Sequence, residues 1–131
     1  MTIGSVVRLL AGPFERQLCA AYRAVFINLV RCTEQIVAAI PLGAQIIDVG
    51  GGDGEILNHL LRNRPDLRVS MLDLRDEIGL FLEPKVRGRV ALHPGTSLAK
   101  YRGDGGARAD VLLVSDVVHH VPCETRVQFV A

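Results

Sequence analysis

Short apolar runs separated by polar, glycine-rich turns give the chain an alternating pattern. Between residues 14 and 40 the apolar positions Phe14, Leu18, Ala21, Tyr22, Val25, Phe26 and Leu29 recur at three- and four-residue steps, and Ile36, Val37 and Ile40 extend the stripe. That is helical spacing, and Pro41 and Gly43 stop it. Two helical pieces are expected here, with Gly12-Pro13 breaking them from a short segment at 4–11. After Gly43 the period changes. Residues 44–49 form a compact apolar run ending in glycines, the look of a buried parallel strand. Helical spacing returns over 54–64, where Ile56, Leu57, Leu60 and Leu61 share a face and Pro65-Asp66 closes the element. Further strands are expected at 68–74, 90–93 and 111–115. The segment 76–87, with Ile78, Leu80, Phe81 and Leu82, reads as helix. Residues 95–109 read as a short helix around 97–101 and then a glycine loop.

Strand–helix–strand alternation predicts a mainly parallel sheet covered by helices on both faces, an α/β Rossmann-like three-layer sandwich preceded by N-terminal helices. At 131 residues there is room for one domain. Hydrophobic residues at 49% against 22% charged support a packed core and exclude a disordered chain. The formal charge of +1 leaves no footprint for nucleic acid, so no such partner is expected. Cys19, Cys32 and Cys123 are odd in number and widely spaced, without the pairing of a zinc or redox motif. No metal site is therefore expected, and reduced thiols point to a cytoplasmic protein. Arg8, Glu15 and Arg16 interrupt the N-terminal apolar stretch, which argues against a signal peptide, and no run is long enough to span a membrane.

The chemistry concentrates at Asp48-Val49-Gly50-Gly51-Gly52-Asp53-Gly54, between a strand and a helix. Glycines let the chain reverse sharply and let a ligand approach the backbone, and a helix start presents unpaired N–H groups to an anion such as a carboxylate or phosphate. A dinucleotide loop, G-x-G-x-x-G, would match Gly50 and Gly52 but then places Glu55 where its third glycine belongs. A phosphate-binding P-loop would need a Lys-Ser or Lys-Thr that is absent. A bare structural turn is the plainer alternative, although four glycines in five residues are unfavourable for a turn alone.

The 48–54 block resembles the D/E-x-G-x-G-x-G signature of class I S-adenosylmethionine-dependent methyltransferases. Val69-Ser70-Met71-Leu72-Asp73-Leu74 is similar to that family's second strand, and residues 109–122 to its fourth-strand block, closest to the small-molecule branch. The resemblance covers residues 40–123. It implies S-adenosyl-L-methionine as cofactor, with Gly50 and Gly52 lining the methionine moiety and Asp48 receiving its ammonium. Asp73 would take the ribose hydroxyls, Leu74 would pack on the adenine, and Thr96 would stand near the adenine amino group. Asp116 and Val117 would lie beside the methyl donor. The family's sheet has about seven strands and this sequence supplies about four. The expected division is therefore an N-terminal helical segment, 1–40, acting as lid or cap, and a partial cofactor-binding domain, 41–131. A fourth strand left open would favour pairing, so a homodimer or a partner chain completing the sheet is also expected.

Methyl transfer needs alignment of acceptor and methyl, and a base where the acceptor carries a proton. His119 and His120 follow the fourth strand and are the candidate bases, with a hydrogen bond to a loop or helix end as their plainer role. His59 and His93 read as structural, Asp53 as a helix-start acid, and Arg62, Arg64 and Arg68 as solvated charges. The expected function is methyl transfer to a small-molecule acceptor. A non-catalytic cofactor-binding or dimerisation module and a nicotinamide-dependent oxidoreductase are the alternatives.

Overall fold

The computed structural model describes residues 17, 21, 29–115, 117 and 121–125. The helical stretch expected from residue 14 and the segment at 4–11 therefore fall largely outside the described residues. Helix α1 (Leu29–Ala39) leads into β1 (Gln45–Val49), α2 (Glu55–Asn63), β2 (Arg68–Leu72), α3 (Pro84–Arg87), β3 (Val90–His93), α4 (Leu98–Gly103) and β4 (Val111–Val114). A 3-10 turn follows at Cys123–Thr125. Among the described residues no helix is long and apolar enough to cross a membrane.

The strands form one parallel sheet in the order β3-β2-β1-β4. Alternation along β1 sends neighbouring side chains to opposite faces. Ile46 joins a large cluster with Leu57, Leu60 and Leu61 of α2, Met71 of β2 and Val86 of α3, against which Ile36 and Val37 of α1 pack. Ile47 and Val49 join a smaller cluster with Leu72 and Tyr101 of α4. Helices thus cover both faces, in the expected three layers. From β1 the chain steps outward through β2 and β3, then returns to β4 on the other side of β1. The carboxyl ends of β1 and β4 flank the switch point where open α/β sheets bind ligands.

Two expectations change. The segment 76–87 is helical only over Pro84–Arg87. Its earlier half is a loop because its backbone N–H groups bond elsewhere: Gly79 donates to the Gly52 carbonyl (2.8 Å) and Phe81 to that of Asp53 (2.9 Å). Asn58, fully buried among the leucines of α2, holds this loop from below. Its Nδ2 donates to the Phe81 carbonyl (2.7 Å) and its Oδ1 accepts from the Glu83 N–H (2.9 Å).

Arg62 and Arg64 are also more than solvated charges. Arg64 donates to the carbonyls of Val37, Ile40 and Pro41 at 2.8–3.2 Å, answering acceptors that the end of α1 leaves open. Asp66 grips the same guanidinium and takes the Gly43 N–H, and these bonds hold its carboxyl below the usual range. Arg62 pairs with Glu83, and Arg89 donates to the Leu61 and Arg64 carbonyls at the end of α2.

Truncating Asn58 to alanine leaves two loop groups without their partner, so it should destabilise the chain by about 2–4 kcal/mol. Arg62→Ala, which removes a half-exposed ion pair, should cost under about 1 kcal/mol. Urea unfolding of the two variants gives the comparison.

Candidate functional site

In β1 against β2, Val49 stands opposite Leu72, so both strands end level. Gly50 and Asp73 consequently leave the sheet side by side. The turn closes on β2 through the Leu72 carbonyl, which accepts from Gly50 N–H (2.7 Å) and Gly51 N–H (3.3 Å). Gly50 (φ 71°) and Gly52 (φ 63°) lie in the left-handed region that side chains disfavour. Gly51 is excluded from substitution for lack of room: a Cβ there would overlap the Asp48 carboxylate and stand 2.7 Å from Met71 Cγ.

Asp48 is 3% exposed, and its carboxylate accepts no hydrogen bond from any described residue. Burial, and then the nearby charge of Asp73, push its carboxyl up to about 7. An acid so placed is harder to ionise than an ordinary carboxyl, and no cation among the described residues pairs with it. Asp73 is the opposite case. Burial raises its carboxyl, but the Arg75 N–H (3.0 Å), the Arg75 guanidinium and the Gly52 N–H (3.1 Å) together bring it below the ordinary value. It is ionised and fully engaged.

The turn is less open to anions than its glycines suggest. The N–H groups of Gly50, Gly51, Gly52 and Gly54 all bond within the chain, and Asp53 Oδ1 takes that of Glu55 (3.3 Å), its expected helix-start role. What the glycines leave is close approach to the backbone.

The second strand stops at Leu72, two residues earlier than expected. Asp73 leaves the ladder there, and its carbonyl accepts the Thr96 N–H (2.9 Å). Leu74 beyond it is 75% exposed. The Thr96 hydroxyl donates to the Pro94 carbonyl (2.9 Å), which leaves its oxygen as an acceptor. Val117, past β4, presses its Cγ2 on Gly50, where a Cβ would collide. The structure thus gathers Asp48, Gly50, Gly52, Asp73, Thr96 and Val117 at the switch point, with Leu74 adjoining. Asp116, His119 and His120 lie outside the described residues. His59 stands 3.8 Å from Glu55, and His93 meets the Tyr101 ring edge-on at 4.9 Å. Among the described residues no cluster of metal-ligating side chains occurs.

Sequence reading missed Arg75, Asn58 and the 79–81 backbone. Asn58 left a signal, since it interrupts the apolar face of α2 between Leu57 and Leu60. Arg75 left only its position, two residues after the acid it grips.

Several known proteins resemble this chain in sequence or in fold. Over 81 residues the sequence is 36% identical to gliM, an O-methyltransferase of Aspergillus fumigatus, across 59% of this chain and 16% of that protein. The fold matches CalO1, a methyltransferase of calicheamicin biosynthesis in its SAH-bound form, with a TM-score of 0.60 and 26% identity over 94% of this chain and 34% of that one. It also matches NcsB1, an O-methyltransferase of neocarzinostatin biosynthesis in complex with S-adenosylmethionine and 2-hydroxy-5-methyl naphthoic acid. There the TM-score is 0.55 and the identity 25%, over 86% of this chain and 36% of that one. No family model matches the sequence. The fold is therefore the Rossmann-like one of these methyltransferases. The proteins it resembles are methyltransferases, one solved with S-adenosylhomocysteine and one with S-adenosylmethionine, and this chain spans about a third of the length of those two solved neighbours.

The raised carboxyl of Asp48 fixes a pH dependence. Because the folded state favours the protonated acid, that contribution is fully present below the ordinary value of 3.8 and is lost as pH rises to about 7. Asp48→Asn removes the dependence. In denaturation across this range the variant should gain on the wild type by a few kcal/mol, on the order of 1.4 per pH unit, and stay level beyond it.

Proposed function

We propose that this chain is the cofactor-binding part of an S-adenosylmethionine-dependent O-methyltransferase acting on a small aromatic hydroxyl. The observation that carries the reading is the buried carboxylate of Asp48, given no hydrogen bond by any described residue, beside a glycine turn too tight for side chains. An ammonium group answers that carboxylate, and the zwitterionic methionine end of the cofactor brings one. The other residues fit the same ligand. Gly50 and Gly52 admit its methionine end, Asp73 offers carboxylate oxygens to the ribose hydroxyls, exposed Leu74 offers an apolar surface to the adenine, and the Thr96 oxygen can accept from its amino group. Bound S-adenosylmethionine supplies a methyl group already activated by its sulfonium.

The chain's own part is to hold the ligand and aim it toward the acceptor past the end of β4. Val117 closes the turn on that side, Asp116 lies next to it in sequence, and His119 or His120 is the proposed proton acceptor. The residue 1–40 segment is the proposed lid. The naphthoic acid bound by NcsB1 supports an aromatic hydroxyl as acceptor class. The exposed free thiol of Cys123 suits a reducing, cytoplasmic setting.

Calorimetric titration with S-adenosylmethionine, S-adenosylhomocysteine and NAD should show binding of the first two alone. Binding of NAD alone overturns the reading, and cofactor binding without turnover on a panel of phenols and quinols favours a non-catalytic module. Asp73→Ala should weaken binding by about 1–3 kcal/mol. Because pairing with an ammonium requires ionised Asp48, binding at mildly acidic pH should release a proton, seen by comparing heats in buffers of different ionisation enthalpy. Asp48→Asn should abolish that release.

A further inference from the structure

The Asp73 carboxylate has room for about four hydrogen bonds, and in this chain four donors are on it. Oδ1 accepts from the Arg75 N–H (3.0 Å) and from Arg75 Nε (3.4 Å). Oδ2 accepts from the Gly52 N–H (3.1 Å) and from Arg75 Nη2 (3.3 Å). The two backbone donors belong to the folded path of the turn and of the strand exit. The two guanidinium bonds are longer and come from a side chain that is 47% exposed. They are the separable pair.

The guanidinium also leans over the turn. A Cβ on Gly52 would stand 2.9 Å from Arg75 Nη2, so the fork lies in the space that the missing side chain opens. A vicinal diol presents two O–H donors, and on this carboxylate the places left for them are the two that the guanidinium fills.

We infer that Arg75 is an internal competitor for the ribose diol, holding the acceptor positions of Asp73 until a diol-bearing ligand displaces it. The inference rests on the assignment of Asp73 to the ribose proposed above. Arg75 is then a positioning residue that lowers affinity. It keeps the carboxylate ionised and correctly aimed in the free protein, and it admits ligands that return two hydrogen bonds in exchange for the two they break. An exposed ion pair of this kind is weak and is screened by salt, so the exchange is readily reversible.

The test is calorimetry with adenosine, which is uncharged, and with S-adenosylhomocysteine, at mildly alkaline pH, on the wild type and Arg75→Ala. The variant should bind both ligands about two- to fivefold more tightly, the scale of one exposed ion pair. For the wild type, adenosine affinity should rise between about 20 mM and about 300 mM salt as the ion pair is screened, whereas the variant should stay flat. A residue that merely braces the loop would not produce that difference in salt response. Weaker or unchanged binding by Arg75→Ala overturns the inference while leaving the ribose assignment in place. If neither protein binds either ligand, the reading of the site itself falls, and the inference with it.

Discussion

The register of β1 on β2 is the constraint on which the site depends. Pairing Val49 with Leu72 ends both strands at one level, so the Leu72 carbonyl meets the first two N–H groups of the glycine turn and Asp73 reaches the third. A slip of one residue would turn Asp73 to the other side of its strand and send buried Met71 and Leu72 to exchanged faces. The apolar demands of the two core layers therefore fix a polar geometry at the strand ends. Asn58 extends that order outward by seating the 79–83 loop, which in turn holds the carbonyls of Gly52 and Asp53.

Much of this was legible in the sequence. The strands are short apolar runs between polar or turn-forming residues, so buried parallel strands could be located to within two residues. The glycine turn and its two carboxylates followed from spacing and from the resemblance to methyltransferases. The loop at 76–83 was misread for a physical reason. Ile78 and Leu82 are buried and four residues apart, which imitates one face of a helix, while Leu80 between them is 58% exposed. Periodicity registers which side chains face the core and says nothing about where backbone donors go. Here those donors go to the glycine turn. Arg64 was misread similarly, because its partners are three carbonyls at the end of α1, far from it in sequence.

The choice between a sulfonium cofactor and a dinucleotide began as a matter of glycine spacing, and the structure adds an electrostatic argument. A pyrophosphate is held by free backbone N–H groups and by the positive end of a helix. In this chain the donors of the turn glycines are spent: Asp73 takes the Gly52 N–H and the other turn glycines bond to carbonyls, while Asp53 takes the Glu55 N–H at the start of α2. Burial, and then the charge of Asp73, already make Asp48 costly to ionise. Adding two phosphate charges there would worsen that repulsion. A ligand with a cation at one end and uncharged hydroxyl donors at the other relieves it at both carboxylates. The same tight, glycine-lined approach thus favours opposite guests according to which groups have already claimed its amides. On that ground the carboxylates, more than the glycines, are the distinguishing feature of the site.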